Sequence, residues 1–198
     1  MNPSHLAKLK ELSIFTTSDA AKFNITRAAL YRAVEKGHIE KLQRGLYGYI
    51  GREESEMHSF AEVSARAKNS VICLLSALRY HNLTTQAPSQ VWLCIKKDDR
   101  APNIDYPSIQ IIRNRETEDF GVISTEIDGV PVMVTDVERT VVDCFKFRNK
   151  IGIDVAIEAL TEAKRANKLD QGKLWENAKR CRMTNIMMPY MEALSFNG

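Results

Sequence analysis

The chain has 198 residues, which fits one large domain or a small module joined to a larger one. Its 44% hydrophobic and 27% charged residues are near the globular average, so a disordered, collagenous or low-complexity protein is excluded. The net charge of +3 is divided unevenly: residues 1–50 hold eight cations against four anions, and the remaining residues have a net charge of −1. This asymmetry indicates an anionic partner for the first quarter of the chain.

The first residues lack an apolar segment with a small-residue cleavage site, so we expect no signal peptide. The longest apolar stretch, 71–75, is far shorter than the ~18–20 residues of a membrane span. The four cysteines, Cys73, Cys94, Cys144 and Cys181, are widely spaced and form no metal-binding motif, so we expect buried, reduced thiols. Together these features predict a cytoplasmic protein without a membrane partner, bound metal or cofactor.

The first fifty residues carry the signals of three short helices. Apolar spacing predicts a helix over 2–12. A second helix begins near Thr16, where Asp19 three residues later completes a capping box. Thr26 caps a third helix, which runs to about residue 36 and ends at Gly37.

A hairpin follows these helices. Alternating segments over 38–42 and 46–50 flank Gln43-Arg44-Gly45, with glycine where a positive φ is needed. The order of helix, helix, tight turn, helix and hairpin is that of a winged helix-turn-helix. We therefore predict a winged-helix DNA-binding domain over 1–51.

The remainder, 52–198, is predicted to be a mixed α+β domain in which a small sheet is flanked by helices. A turn at Asp128-Gly129 indicates a second hairpin, and Thr135 with Glu138 reads as a second capping box. The predicted helices span 55–68, 70–82, 135–146, 152–167, 170–181 and 184–195, the predicted strands span 90–96, 108–113, 121–128 and 130–134, and polar connections span 97–107 and 114–120.

The third helix divides into an apolar face and a polar face. Ala29, Leu30, Ala33 and Val34 fall on the arc that must face a core. The other arc carries Arg27, Ala28, Tyr31, Arg32, Glu35 and Lys36. A recognition helix of this kind places its N-terminal turn in the major groove, and a hairpin tip contacts backbone or minor groove. The predicted DNA-binding residues are Thr16, Thr26, Arg27, Ala28, Tyr31, Arg32, Lys41, Gln43 and Arg44. The alternative is the ordinary solvated face of a soluble helix.

A polar cluster stands out on the predicted helix over 135–146. Asp136, Arg139, Thr140 and Asp143 fall opposite its apolar stripe, and Arg139 and Asp143 are one turn apart and able to pair. The cluster is either a site for a protein or anionic ligand or a polar network that fixes the helix against the sheet. No nucleophile signature, phosphate-binding loop or nuclease motif is found, so we expect no enzymatic activity.

Two parts of the sequence resemble the AbiEi family of antitoxins from bacterial abortive-infection, type IV toxin–antitoxin operons. The first comprises Phe15-Thr-Thr-Ser-Asp-Ala-Ala, Ile25-Thr-Arg-Ala-Ala-Leu-Tyr-Arg-Ala-Val-Glu-Lys-Gly and Ile39-Glu-Lys-Leu-Gln-Arg-Gly-Leu-Tyr. The second is Val132-Met-Val-Thr-Asp-Val-Glu-Arg-Thr-Val-Val-Asp-Cys. The resemblance implies an N-terminal winged helix that binds inverted repeats in its own promoter and represses the operon. It also implies a C-terminal domain that counteracts a co-encoded nucleotidyltransferase-like toxin.

The residues and the resemblance together predict a non-enzymatic antitoxin and autorepressor. Because a module with about three phosphate contacts binds weakly at physiological salt, we expect two copies, a homodimer on repeated half-sites of double-stranded DNA. The alternatives are a protein-interaction module whose basic N-terminus docks an acidic partner, a general winged-helix regulator without a toxin partner, and a nuclease or nucleotidyltransferase acting through residues 90–145.

Overall fold

The computed structural model describes residues 3–114 and 120–195, so the predicted connection over 114–120 lies almost entirely outside the described residues. The fold is mixed α+β with two sheets. The chain divides into two compact units: the first comprises Met1–Ser70, Arg100–Ile109 and Ser124–Met133, and the second comprises Val71–Asp99, Gln110–Ile123 and Val134–Gly198. Since both units are discontinuous in sequence, the domain boundary at residue 51 stays a prediction.

Residues 3–66 of the first unit form short helices and a small antiparallel sheet. Its elements are α1 (Pro3–Leu12), β1 (Ile14–Thr16), α2 (Thr17–Ala21), α3 (Arg27–Glu35), β2 (Ile39–Gln43), β3 (Leu46–Tyr49) and α4 (His58–Arg66). The sheet is antiparallel with the order β1-β3-β2. The sequence did not predict β1, because three residues are too few to show alternation. The order of α1 to β3 is consistent with a winged helix.

Side-chain caps explain where the short helices begin and end. The Thr16 hydroxyl accepts a hydrogen bond from the Asp19 amide at 3.2 Å, and the Asp19 carboxylate accepts one from the Thr16 amide at 3.1 Å, so the predicted capping box is confirmed. Thr26 caps α3 by accepting from the Ala29 amide at 3.2 Å. Gly37, at φ +67°, ends α3 as predicted.

An apolar core fixes which face of α3 points outward. Buried side chains from α1, β1, α2, α3 and β2 form it, together with one residue of the connection between α2 and α3: Leu9, Phe15, Ala20, Ile25, Leu30, Ala33 and Ile39. Phe15 also stacks on Tyr47 of β3, with ring centroids 6.0 Å apart. Leu30 and Ala33 are buried, and Ala29 and Val34 pack partly buried against the core, so the predicted inner face of α3 is confirmed.

The remaining elements complete a five-stranded sheet and a group of helices. They are β4 (Val71–Ile72), α5 (Leu74–Tyr80), β5 (Val91–Lys96), β6 (Ile109–Asn114), β7 (Val122–Ile127), β8 (Val130–Thr135), α6 (Val137–Lys146), α7 (Arg148–Ile151), α8 (Ile153–Arg165), α9 (Gln171–Arg180) and α10 (Thr184–Ser195). The strand order is β6-β5-β4-β8-β7. Strand β4 is antiparallel to β5 and parallel to β8, and the predicted turn at Asp128-Gly129 joins β7 to β8.

Two sequence predictions in this region are wrong. The helix predicted over 70–82 begins only at Leu74, because Val71 and Ile72 form the central strand of the sheet, and a short apolar run does not distinguish strand from helix. The capping box of Thr135 and Glu138 is absent. Asp136 caps α6 instead, accepting from the Arg139 amide at 2.8 Å, while Thr135 hydrogen-bonds the Thr140 hydroxyl at 2.7 Å.

Two further expectations concern cysteines and membranes. All four cysteines are free and buried. Burial raises the pKa of the Cys144 thiol well above its ordinary value, which keeps it protonated and unreactive. Within residues 3–114 and 120–195, no helix combines the length and apolar character needed to span a membrane.

The Asp19 carboxylate predicts an acid-sensitive first unit. Burial raises its pKa, but hydrogen bonds from Lys68, Thr16 and Lys22 outweigh burial and lower the pKa to about 2, from 3.8. A lowered pKa in the folded state stabilises the protein above pH 3.8, and this contribution disappears as the pH falls toward 2. We therefore expect Asp19→Asn to flatten the loss of stability between these pH values, measured by urea unfolding. Asp98→Asn, an exposed carboxylate after β5, is the control, and equal pH dependence in both variants would contradict the assignment.

Candidate functional site

The outer face of α3 presents a compact set of polar and cationic side chains. Arg27, Ala28, Tyr31 and Arg32 are all exposed, as the helical periodicity predicts. Tyr31 is 68% exposed, although large aromatic side chains are more often partly or fully buried. The small side chain of Ala28 leaves room for close approach to the helix. This face can therefore lie against a flat or grooved anionic partner.

The cations of this face are not neutralised by the protein itself. Within the described residues, neither Arg27 nor Arg32 takes part in an ion pair. Arg32 Nε donates a hydrogen bond to the Ala28 carbonyl at 3.3 Å, which holds the guanidinium along the helix and leaves its terminal amino groups for a partner. An arginine held in this way can form a bidentate pair with a phosphate or with a guanine edge.

The N-terminus of α3 adds backbone donors to the same face. The Thr26 hydroxyl accepts from the Ala29 amide, and the amides of Arg27 and Ala28 in the first turn have no intrahelical acceptor. A helix N-terminus with free amides favours an anion such as phosphate. The amide of Thr16 differs, because it donates to the Asp19 carboxylate at 3.1 Å. The Thr16 amide itself is therefore used within its own capping box.

The hairpin of β2 and β3 carries two exposed cations. Lys41 lies on β2 and Arg44 at the tip, where Gly45 adopts φ +79° and allows the tight turn. Gln43 is engaged differently: its amide donates to the Tyr106 carbonyl and accepts from Arg66 Nη1. Gln43, next to the turn, thus ties the tip end of the hairpin to Tyr106 and Arg66, contacts that sequence reasoning missed because these partners are 63 and 23 residues away.

Arg52 neutralises the negative charge of Glu40 on the hairpin. Its guanidinium pairs with Glu40 on β2 and with Glu54, both at 2.5 Å, although its own side chain is almost fully buried. It lies directly against Gly48, where a Cβ would approach Nη1 to 2.4 Å. Sequence reasoning placed the domain boundary at residue 51 and missed the interaction. The signal that could have found it is the glycine at an otherwise ordinary strand position.

The polar cluster on α6, in the second unit, is buried. Asp136, Arg139, Thr140 and Asp143 all lie inside the protein, and Arg139 is only 1% exposed. Helices α5, α8 and α9 pack around α6, so its polar side is covered as well as its apolar stripe. The four side chains therefore fit the alternative interpretation, a network that fixes the helix.

The predicted pair of Arg139 and Asp143 is present in this interior. Arg139 Nε donates to Asp143 Oδ2 at 2.9 Å, and Nη1 donates to the Phe120 carbonyl at 3.1 Å. The guanidinium carbon also lies 4.0 Å from the centroid of the Phe120 ring. Burial raises the pKa of Asp143 above its ordinary value, although the charge and hydrogen bond of Arg139 and, more weakly, the charge of Lys146 act in the opposite direction.

A neighbouring network joins α6 to α9, and sequence reasoning missed it. Lys173 Nζ lies 2.7 Å from Asp136 Oδ2 and 3.4 Å from Glu138 Oε2. Glu138 Oε1 accepts a hydrogen bond from the Asp170 amide at 2.9 Å. The hydrogen bond with Asp136 raises the pKa of Lys173, so the bridging ammonium stays charged. In the described part of the chain, no group of three or more His, Cys, Asp or Glu side chains is arranged to hold a metal ion.

Comparison with known proteins agrees with the class of protein that the first unit suggests, a transcriptional regulator. Residues 7–50 match the family described as "Transcriptional regulator, AbiEi antitoxin". The resemblance to AbiEi antitoxins is thus confirmed over α1 to β3. The match does not reach Val132–Cys144, whose resemblance stays a prediction. No curated protein matches the chain.

The buried pair predicts a large loss of stability when one partner is removed. Arg139→Met should destabilise the protein by about 3–5 kcal/mol, because Asp143 is left as an unpaired charge in the interior. The double variant Arg139→Met with Asp143→Leu should recover much of the loss. Chemical denaturation measures both.

Arg165→Met provides a matched control for this prediction. Arg165 pairs with Glu162 at 2.6 Å on the protein surface, where its side chain is 74% exposed. Removing such a solvent-exposed pair should leave the free energy of unfolding nearly unchanged. Equal losses for Arg139→Met and Arg165→Met would contradict the interior pair.

Proposed function

We propose that this protein is a winged-helix repressor of its own toxin–antitoxin operon that binds double-stranded promoter DNA through α3 and the β2–β3 hairpin. One observation supports the proposal most directly: the exposed face of α3 carries Arg27 and Arg32 without ion-pair partners among the described residues, beside a 68% exposed Tyr31. The match of residues 7–50 to a transcriptional regulator family agrees with it. Because operon DNA lies in the cytoplasm, we propose that the protein acts there.

The residues have different roles in this proposal. Arg27 and Arg32 contact guanine edges or phosphates in the major groove, Tyr31 packs on a base or sugar, and Ala28 permits the approach. The cap of Thr26 orients the first-turn amides toward a phosphate. Lys41 and Arg44 on the hairpin contact the DNA backbone or the minor groove. Thr16 and Gln43 contribute indirectly: their side chains hold α2 and the hairpin in the positions from which the other residues contact DNA.

Two copies on repeated half-sites give the proposed complex its affinity. One unit offers only a few phosphate contacts, and nonspecific electrostatic binding of that size weakens steeply as salt rises. A homodimer on an inverted repeat doubles the contacts and makes recognition depend on half-site spacing. We propose this arrangement for the promoter complex.

We assign the antitoxin activity to the predicted α+β domain over 52–198. We propose that it counteracts a co-encoded nucleotidyltransferase-like toxin without being an enzyme itself. Because Asp136, Arg139, Thr140 and Asp143 are buried, their role is to keep α6 in place. A toxin-binding surface would have to use exposed residues instead.

Substitutions on α3 test DNA binding. Arg27→Ala and Arg32→Ala should each weaken binding to the upstream promoter DNA by about 1–3 kcal/mol if the arginine contacts a base edge. If it contacts a phosphate, the slope of log affinity against log salt should fall by about 0.9. Mobility-shift titrations across a salt series, with specific and scrambled DNA, separate the two outcomes.

Arg165→Ala is the control for these titrations, because it removes an arginine that is also exposed but lies in the second unit. Its affinity and salt slope should equal those of the parent. If both α3 variants bind as tightly as the parent, α3 is not the helix that contacts DNA. If the parent binds scrambled DNA as tightly as promoter DNA, the proposal of specific repression is wrong. Binding to an acidic protein but not to DNA would favour the protein-interaction alternative.

A co-expression experiment tests the antitoxin activity. The double variant Arg27→Ala with Arg32→Ala should lose promoter repression, measured with a reporter gene, yet still restore growth to cells that express the toxin from the adjacent gene. The reason is that the two activities reside in different parts of the chain. Toxin expression is placed under an independent promoter, so that repression cannot account for the rescue. Failure of the parent protein to restore growth would contradict the antitoxin proposal.

A further inference from the structure

The first unit contains a cavity that its DNA-binding role does not use. The cavity volume is about 440 Å³. Its walls are largely apolar and include Leu12, Val130 and Met133, and its polar side chains include Asp19, Lys22 and Lys68. Known ligand sites have volumes of about 300–1,000 Å³ and combine apolar walls with a few polar groups that orient the ligand. This cavity has both properties.

One wall of the cavity is formed where the turn at Gly129 packs closely against the end of α1. Gly129, in the turn between β7 and β8, adopts φ +76° and packs against the end of α1, where a Cβ would lie 3.1 Å from Ser13 Cβ and 3.2 Å from the Leu12 carbonyl oxygen. A side chain at this position would require Ser13 or Leu12 to move by a few tenths of an ångström. The turn between β7 and β8 and the end of α1 therefore form one closely packed wall of the cavity.

The charged groups of the cavity do not balance. Asp19 Oδ1 receives both the Lys22 ammonium, at 3.3 Å, and the Lys68 ammonium. Asp19 Oδ2 is already used by the Thr16 amide and hydroxyl. Two ammonium groups thus share one carboxylate oxygen, and one positive charge remains. Both lysines are at least half exposed, so their remaining donors are open to a ligand.

We propose that this cavity binds an amphipathic monocarboxylate, with its hydrocarbon portion among Leu12, Val130 and Met133 and its carboxylate on Lys22 and Lys68. A single negative charge matches the single excess positive charge. The lining residues include no aromatic ring for base stacking, which disfavours a nucleotide. Because Asp19 also caps α2, the ligand would bind beside the helix that precedes α3. The proposal extends beyond promoter binding and does not depend on it.

Calorimetric titration of the full chain with decanoate, without DNA, tests the proposal. We expect saturable binding with one site per chain. Octanoate should bind more weakly, by about fourfold for each methylene lost. Decanamide, which keeps the chain and loses the charge, should bind roughly tenfold more weakly than decanoate. Equal affinity for decanoate and decanamide, or no saturable binding below the critical micelle concentration, would overturn the proposal.

Two lysine variants locate the binding site. Lys68→Met removes the charge and keeps the length of the side chain, and it should weaken decanoate binding roughly tenfold. Lys8→Met is the matched control, because both lysine side chains are 50% exposed and ion-paired but Lys8 does not line the cavity. Equal effects of the two substitutions would overturn the site. Thermal unfolding checks that each variant is folded, and Lys22→Met replaces Lys68→Met if the latter is not.

Discussion

The DNA-binding role proposed for the first unit depends on the carboxylate of Asp19. Helix α2 has five residues, and a helix of that length does not form in water without caps and packing. Asp19 Oδ2 accepts from the amide and the hydroxyl of Thr16, which fixes the first turn, while Ala20 on the same short helix lies in the core. The end of α2 then sets the start of α3, since the Ile25 amide donates to the Ala20 carbonyl at 3.1 Å and Thr26 begins the next cap. The direction of the exposed α3 face follows from this chain of local contacts.

The second unit uses polar groups in another way. Arg139 brings a charge into the interior, where the Asp143 carboxylate, the Phe120 carbonyl and the Phe120 ring lie against it. Such a group adds little net stability over an apolar replacement, but it is costly when a partner is missing. It therefore favours one arrangement of α6 over alternatives that leave Arg139 unpaired. A buried network of this kind specifies a structure, and it leaves binding to the surface.

The sequence predicted the parts of the fold that local signals encode. Caps at Thr16 and Thr26, the glycine at 37 and the turn at Asp128-Gly129 depend on residues close in the chain, and all were found. Strand β4 was missed because pairing with β5 and β8, which lie far along the chain, makes Val71 and Ile72 a strand. For the same reason the sequence left two interpretations of the α6 cluster open, a ligand site and a polar network. Periodicity shows that a helix has two faces, and only tertiary packing decides whether both are covered.

The charge of residues 1–50 shows how structure sharpens an argument from composition. Of its four acidic residues, Glu11, Asp19 and Glu40 are held in ion pairs. Two of their partners, Arg52 and Lys68, come from outside the segment, so fewer of the segment's own cations are used in neutralising them. Six of its eight cations are exposed and form no ion pair within the described residues: Lys10, Arg27, Arg32, Lys36, Lys41 and Arg44. The cationic surface is therefore more strongly positive than the net +4 of the segment implies, since cations supplied from later in the chain offset its acids. An anionic polymer such as DNA interacts with that surface charge and not with the formal sum.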